Sequence, residues 1–168
     1  MTPTLCFHCM NAIAHRGEVC PHCGYDNQVR HNGASMLGET VLNGQYLVGH
    51  ILGRGGFGIT YIGYDLILER RVAIKEYFPG QIVGRNADNV TLTAHGGSES
   101  AFEKGCQRAL KEGRMAASLG QIPGVVQIYS TFMANNTVYI VMEYIEGSTL
   151  TDYVANQPAR LTLPEVVE

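Results

Sequence analysis

Four of the five cysteines stand in two matched pairs, Cys6-Phe7-His8-Cys9 and Cys20-Pro21-His22-Cys23, with residues 10–19 between them. A two-residue gap lets both thiolates of one turn address a single ion. Two such turns complete a tetrahedral set of four sulfurs, which suits zinc. Gly24 follows the second pair and can take the positive φ that brings backbone amides toward the sulfurs. Because four cysteines fill the coordination shell, the metal would be structural and His8, His15 and His22 would be surface residues. A redox dithiol is disfavoured by the presence of two matched pairs. Cys106 lies far from this cluster, in a helical pattern, and reads as a small core residue.

A second group of residues has the chemistry to hold phosphate. Leu52-Gly53-Arg54-Gly55-Gly56-Phe57-Gly58 runs into Ile59-Thr60-Tyr61-Ile62, a β-branched strand. A dinucleotide-binding fold uses the same glycine spacing but leads it into a helix. A glycine-rich hairpin between two strands instead lies over triphosphate oxygens and offers them backbone N–H groups. Phe57 at the tip would help to close it. On the next strand, Val72-Ala73-Ile74-Lys75, alternation puts Ala73 and Lys75 on one face and Val72 and Ile74 on the other. Lys75 would reach phosphate oxygens as a compact charge, and Ala73 leaves room for a flat base.

These residues need elements to hold them. Strands are expected at 46–53, 58–64 and 71–76, and at 125–132 and 137–144 around the turn residues Asn135 and Asn136. A helix is expected over about 98–119, with Phe102, Cys106, Ala109, Leu110, Gly113, Ala116 and Ala117 on one stripe. The fold class is α+β: a five-stranded antiparallel sheet covered by one main helix, with helical pieces after it. Residues 1–30 hold few large aliphatics and need the metal as a staple. The organisation is therefore a small metal-bound unit at 1–30, a linker at 31–38 and one domain at 39–168. Thr162-Leu163-Pro164-Glu165 matches a capping box, so a helix is expected to start just where the sequence stops, as in a truncated domain.

As a set, Leu52 to Tyr61 and then Val72-Ala-Ile-Lys-Glu-Tyr-Phe-Pro79 resemble bacterial serine/threonine protein kinases of eukaryotic type, over residues 38–168. The two cysteine turns resemble the zinc ribbons that often precede such kinase domains. The resemblance implies the small lobe of the kinase fold and ATP with Mg²⁺ as cofactor. In it Lys75 binds the α- and β-phosphates and pairs with a helix glutamate. Gly53, Gly55, Gly56, Phe57 and Gly58 form the phosphate loop. Leu52, Thr60 and Ala73 sandwich the adenine, Thr60 standing where the family prefers valine. Met142 is the gatekeeper, and the Glu143 carbonyl and Ile145 amide bind the adenine edge. Glu103 and Glu112 both flank the helix stripe, nine residues apart and so on opposite sides. Periodicity leaves both open as the partner of Lys75; the resemblance selects Glu112.

Two features depart from the pattern. Gly105 and Gly113 lie inside the helix, each costing about 1 kcal/mol relative to alanine, and Ala116 stands where a larger apolar residue is usual. This helix is therefore expected to be loosely held. Residues 77–98 form an insertion rich in turn residues, read as a mobile loop rather than a docking loop.

Phosphoryl transfer also needs a base and Mg²⁺ ligands. The four aspartates, Asp26, Asp65, Asp88 and Asp152, lie in neither an H-R-D nor a D-F-G motif. The chain is therefore read as the ATP-binding portion of a kinase, inactive by itself, whose protein substrate would bind the missing lobe. The alternative is a pseudokinase-like module whose ribbon recruits a protein partner. Nucleic acid is not an expected partner: the net charge is −3, and residues 1–30 carry only Arg16 and Arg30 as fixed cations. No apolar run approaches the ~18 residues of a membrane span, and no leader is evident, so a cytoplasmic location is expected.

Overall fold

The computed structural model describes residues 4–28, 40–120 and 122–156. The expected linker at 31–38 and the capping box at 162–165 lie outside the described residues. In chain order the elements are β1 (Val41–Leu42), β2 (Tyr46–Gly55), β3 (Gly58–Asp65), β4 (Arg70–Tyr77), β5 (Val83–Arg85), β6 (Leu92–Ala94), α1 (Glu99–Ala117), β7 (Ile128–Ala134), β8 (Thr137–Glu143) and α2 (Leu150–Ala155). The main sheet is antiparallel, in the order β1-β2-β3-β4-β8-β7. The five anticipated strands are all present, and the two-residue β1 extends the edge. Among the described residues no helix is long and apolar enough to cross a membrane.

Strand alternation builds the first core. Tyr61 lies opposite Ile74, and Ile74 opposite Val141. All three are fully buried with Val48, Val72 and Tyr139 on one face of the sheet. The tight β7–β8 turn uses Asn135 and Asn136, both at positive φ, a backbone state that asparagine tolerates and two-residue hairpins require.

The second core lies under α1. Phe102 and Cys106 pack with Val138 of β8 and with Val83 and Leu92 of the small β5–β6 sheet, and Ala109, Leu110 and Ile140 lie against them. Ala117 is exposed, so the apolar stripe is shorter than its periodicity suggests.

The glycines of α1 have a packing role that helix propensity does not reveal. A Cβ on Gly113 would lie 2.8 Å from Thr131 Oγ1 and 2.9 Å from Thr131 Cγ2, and one on Gly105 would lie 2.0 Å from the Tyr77 hydroxyl. Both residues bring the helix close to the sheet, so the helix is closely packed where loose packing was expected.

The insertion at 77–98 is likewise ordered. Asp88 closes its turn by accepting the amides of Val90 and Thr91, each at 2.9 Å, and the Thr91 hydroxyl at 2.6 Å. These bonds hold its carboxyl below the ordinary value, the Thr91 hydroxyl contributing most. From β5, Arg85 reaches into the first core. Its Nη1 donates to Glu76 Oε1 at 3.0 Å and its Nη2 to the Tyr61 hydroxyl at 3.0 Å, and Nη2 also pairs with Glu76 Oε2. The Tyr61 and Tyr139 hydroxyls donate to the same carboxylate at 2.9 and 3.1 Å. Burial alone would lower the Arg85 pKa, but hydrogen bonding and charge from Glu76 outweigh it and hold the guanidinium above its ordinary value.

Two stability predictions follow from this packing. Arg85→Met leaves the Glu76 charge buried without its partner and should cost about 3–5 kcal/mol in denaturant unfolding, with Glu76→Met/Arg85→Met costing less than Arg85→Met alone. Gly113→Ala should gain about 1 kcal/mol of helix propensity but lose about 1–3 kcal/mol to overpacking on Thr131. A lower denaturation midpoint is the expected net result; a raised midpoint would show the helix to be loosely seated after all.

Candidate functional site

The glycine hairpin is the β2–β3 connection: Gly55 pairs with Gly58 across Gly56 and Phe57. Gly58 sits where the hairpin crosses β4. A Cβ there would lie 2.8 Å from the Glu76 carbonyl oxygen and 3.6 Å from Lys75 Cε, so any larger residue would push the hairpin off the lysine strand. The Phe78 amide donates to the Phe57 carbonyl at 3.0 Å, tying the tip to the end of β4. The Phe57 ring itself is 74% exposed.

Lys75 lies opposite Thr60 on β3 and Ile140 on β8. Its side chain is solvent-accessible and lines a cavity of about 260 Å³ with Phe57, Tyr77, Arg108, Glu112 and Ile140. Glu103 is turned away, lining a separate groove with Leu92, Phe102 and Met133. The cavity therefore gathers Lys75 and Glu112 and leaves Glu103 out. Among the described residues no ion pair joins Lys75 to Glu112. Arg108 was not singled out in the sequence. Its signal was there: it lies four residues before Glu112 and so on the same helix face.

The other site residues lie beside this cavity rather than on it. Ala73 is buried and pairs with Met142 in register. Thr60 and Met142 are half-buried, and Leu52, Glu143 and Ile145 are exposed. The segment after β8 is tethered by Arg71 of β4, which pairs with Glu146 and lies 5.6 Å from the Tyr144 ring centre.

Residues 48–168 match the family described as protein tyrosine and serine/threonine kinase. The chain belongs to the protein kinase family. It is 33% identical over 124 residues to the serine/threonine-protein kinase PrkC of Bacillus subtilis, and 35% identical over 128 residues to a probable serine/threonine-protein kinase of Streptomyces coelicolor. Those alignments cover 73% and 74% of this chain but only 16% of either relative. Among solved structures, PpkA-294 in its apo form superposes with a TM-score of 0.69 at 31% identity, over 75% of this chain and 44% of that one. The sheet and α1 of this kinase chain are thus the small lobe of the family fold.

The cysteine pairs precede the matched kinase region. Each pair sits on a minute hairpin, closed by the bridges Leu5–Ala12 and Val19–Asp26. The four sulfurs all lie within 4.8 Å of one another, with Cys6–Cys23 and Cys9–Cys20 both at 3.7 Å. A tetrahedral zinc with ~2.3 Å bonds requires sulfur–sulfur edges of about 3.8 Å, so the donor set fits that ion. His8, His15 and His22 are exposed and outside the cluster. The thiols of the cluster shift in opposite directions: burial pushes Cys6 and Cys23 up, whereas at Cys20 burial is outweighed by the backbone amides of His22 and Cys23, which draw it down to about 7. Asn27 ties the hairpins together: its Oδ1 accepts the Phe7 amide and its Nδ2 donates to the Glu18 carbonyl, both at 2.9 Å. The core of this unit is little more than Cys6, Ile13 and Cys20, so a metal on the four sulfurs would supply much of its order. The purified chain should carry one zinc per molecule by elemental analysis. Cys6→Ser or Cys20→Ser should abolish that content and strip amide-exchange protection from residues 5–26 without unfolding the main sheet.

Proposed function

We propose that this chain is the ATP-binding portion of a bacterial serine/threonine protein kinase, which transfers the ATP γ-phosphate to protein hydroxyls. The observation that carries this reading is Lys75, held under Gly58 and sharing one cavity with Glu112. Lys75 binds the α- and β-phosphates, and Glu112 is close enough on α1 to orient it when nucleotide enters. Backbone amides of Gly53, Gly55, Gly56, Phe57 and Gly58 lie over the phosphates. Leu52, Thr60 and Ala73 take the adenine between them, with Met142 behind it and the Glu143 carbonyl and Ile145 amide at its edge. Mg²⁺ neutralises charge on the transferring phosphate, but the motifs that supply its ligands and the catalytic base are absent from these 168 residues. The chain as it stands therefore binds nucleotide weakly at best and transfers no phosphate. The protein substrate docks elsewhere in the full kinase.

We divide the chain into a zinc ribbon at 1–30, a linker at 31–38 and the kinase region at 39–168. ATP as ligand and a reduced four-thiolate metal site both suit the cytoplasm.

Binding of a fluorescent ATP analogue tests the assignment. Lys75→Ala should weaken it about tenfold or more, the loss of a charged hydrogen-bonding partner, whereas Glu103→Ala should leave it unchanged. Incubation of the chain with Mg-ATP and a generic protein acceptor should yield no turnover. Turnover that Lys75→Ala abolishes would refute the claim of inactivity.

A further inference from the structure

The two cysteine hairpins are built alike, and one difference between them is informative. In each, the residue after the second cysteine donates its amide to the first cysteine's carbonyl at 2.9 Å, Met10 to Cys6 and Gly24 to Cys20. Both residues sit at positive φ, 55° for Met10 and 72° for Gly24. Glycine takes that conformation without strain; methionine does not. Something must compensate at position 10, and the Met10 side chain shows what. It is 2% exposed and lies against β2, where a Cβ on Gly49 would fall 2.1 Å from Met10 Cε and 2.7 Å from the Phe7 carbonyl oxygen.

Strand β2 is shaped to receive this contact. Its pairing with β3 runs regularly to Val48–Gly63, returns at Ile51–Tyr61 and shifts once more at Leu52 before Gly53–Thr60. Gly49 and His50 therefore bulge against one residue of β3, which takes a backbone amide out of the ladder. The His50 amide instead donates to Phe7 O at 2.9 Å. The rings add to the seam: His50 meets Phe7 edge-on at 6.2 Å and lies 4.6 Å from His8. Phe7 and His8 are the two residues between the metal-ligating Cys6 and Cys9. Leu52 and the loop glycines begin two residues beyond His50.

We propose that the metal-binding ribbon is a positioning device for the glycine loop. Metal coordination fixes the Phe7–Met10 turn, that turn holds the β2 bulge, and the bulge sets where Leu52–Gly58 projects over Lys75. Met10 is the positioning residue, kept in a strained conformation because its side chain seats the ribbon on the lobe. The inference rests on reading Leu52–Gly58 as the nucleotide loop. It then carries a reciprocal consequence: metal tightens nucleotide binding, and nucleotide tightens metal binding by the same factor.

The test compares the zinc-loaded chain, the chelator-stripped chain, Met10→Gly and Gly49→Ala by amide hydrogen exchange. Met10→Gly relieves the strained φ and retains all four cysteines, so the ribbon keeps its zinc while losing its anchor. Gly49→Ala pushes the seam apart from the lobe side. Exchange at residues 50–58 should accelerate about fivefold or more in all three perturbed forms, with residues 137–141 changing less. Affinity for a fluorescent adenine nucleotide should fall by a similar factor. Unchanged exchange at 50–58 in all three forms would overturn the proposal, as would equal acceleration across both segments, the mark of a seam that only stabilises. Accelerated loop exchange with no nucleotide bound by any form would support the coupling and sink the nucleotide reading instead.

Discussion

Lys75 and Glu76 are neighbours in sequence with opposite charges, and the pleat of β4 sends them to opposite faces of one sheet. Much of the lobe depends on that division. Glu76 faces the core, where Arg85, Tyr61 and Tyr139 satisfy its carboxylate. Lys75 faces the cavity under the glycine loop. A slip of β4 by one residue would exchange them, burying an ammonium beside the Arg85 guanidinium and turning a carboxylate toward the loop. A buried ion pair is a weak stabiliser when weighed against an apolar replacement, but breaking one is expensive. The pair on this strand therefore acts mainly on register: it makes one alignment of β4 far cheaper than its neighbours.

The junctions around β4 share a second constraint. The ribbon meets β2 at Gly49, the hairpin crosses β4 at Gly58, and α1 meets β7 at Gly113. At each, a single added carbon would meet backbone or a short, stiff side chain at under 3.0 Å. Interiors packed this closely transmit displacement rather than absorb it. The distance of α1 from the sheet, and with it the place of Glu112 relative to Lys75, is set by such contacts.

Much of this was legible in the sequence, for identifiable reasons. The strands at 58–64 and 71–76 show because alternation and β-branching act locally. The four-cysteine cluster shows because ligand spacing is a local property of two turns. Glu112 could not be separated from Glu103 by periodicity, since both border the same stripe; which of them shares a cavity with Lys75 is a tertiary fact. The glycines of α1 misled for a related reason. Propensity scores a glycine by its backbone freedom, but the reason for Gly113 lies in Thr131, eighteen residues away. The insertion misled because Asp88, Asn86 and their neighbours are turn residues wherever they occur. Nothing local says that Arg85, just before them, has a carboxylate waiting in the core. Met10 was equally silent, since its backbone conformation becomes visible only when the two hairpins are laid side by side.

The β5–β6 hairpin has a bearing on how this chain tolerates shortening. Surface insertions are ordinarily the segments that a chain loses at least cost, because they tie up little of the interior. Trimming residues 83–94 here would remove Val83 and Leu92 from under α1 and leave the buried Glu76 carboxylate without its guanidinium partner. The deletion would have to be accompanied by an apolar residue at position 76. The segment that looks most dispensable in the sequence is thus bound to the strand that can least afford a change.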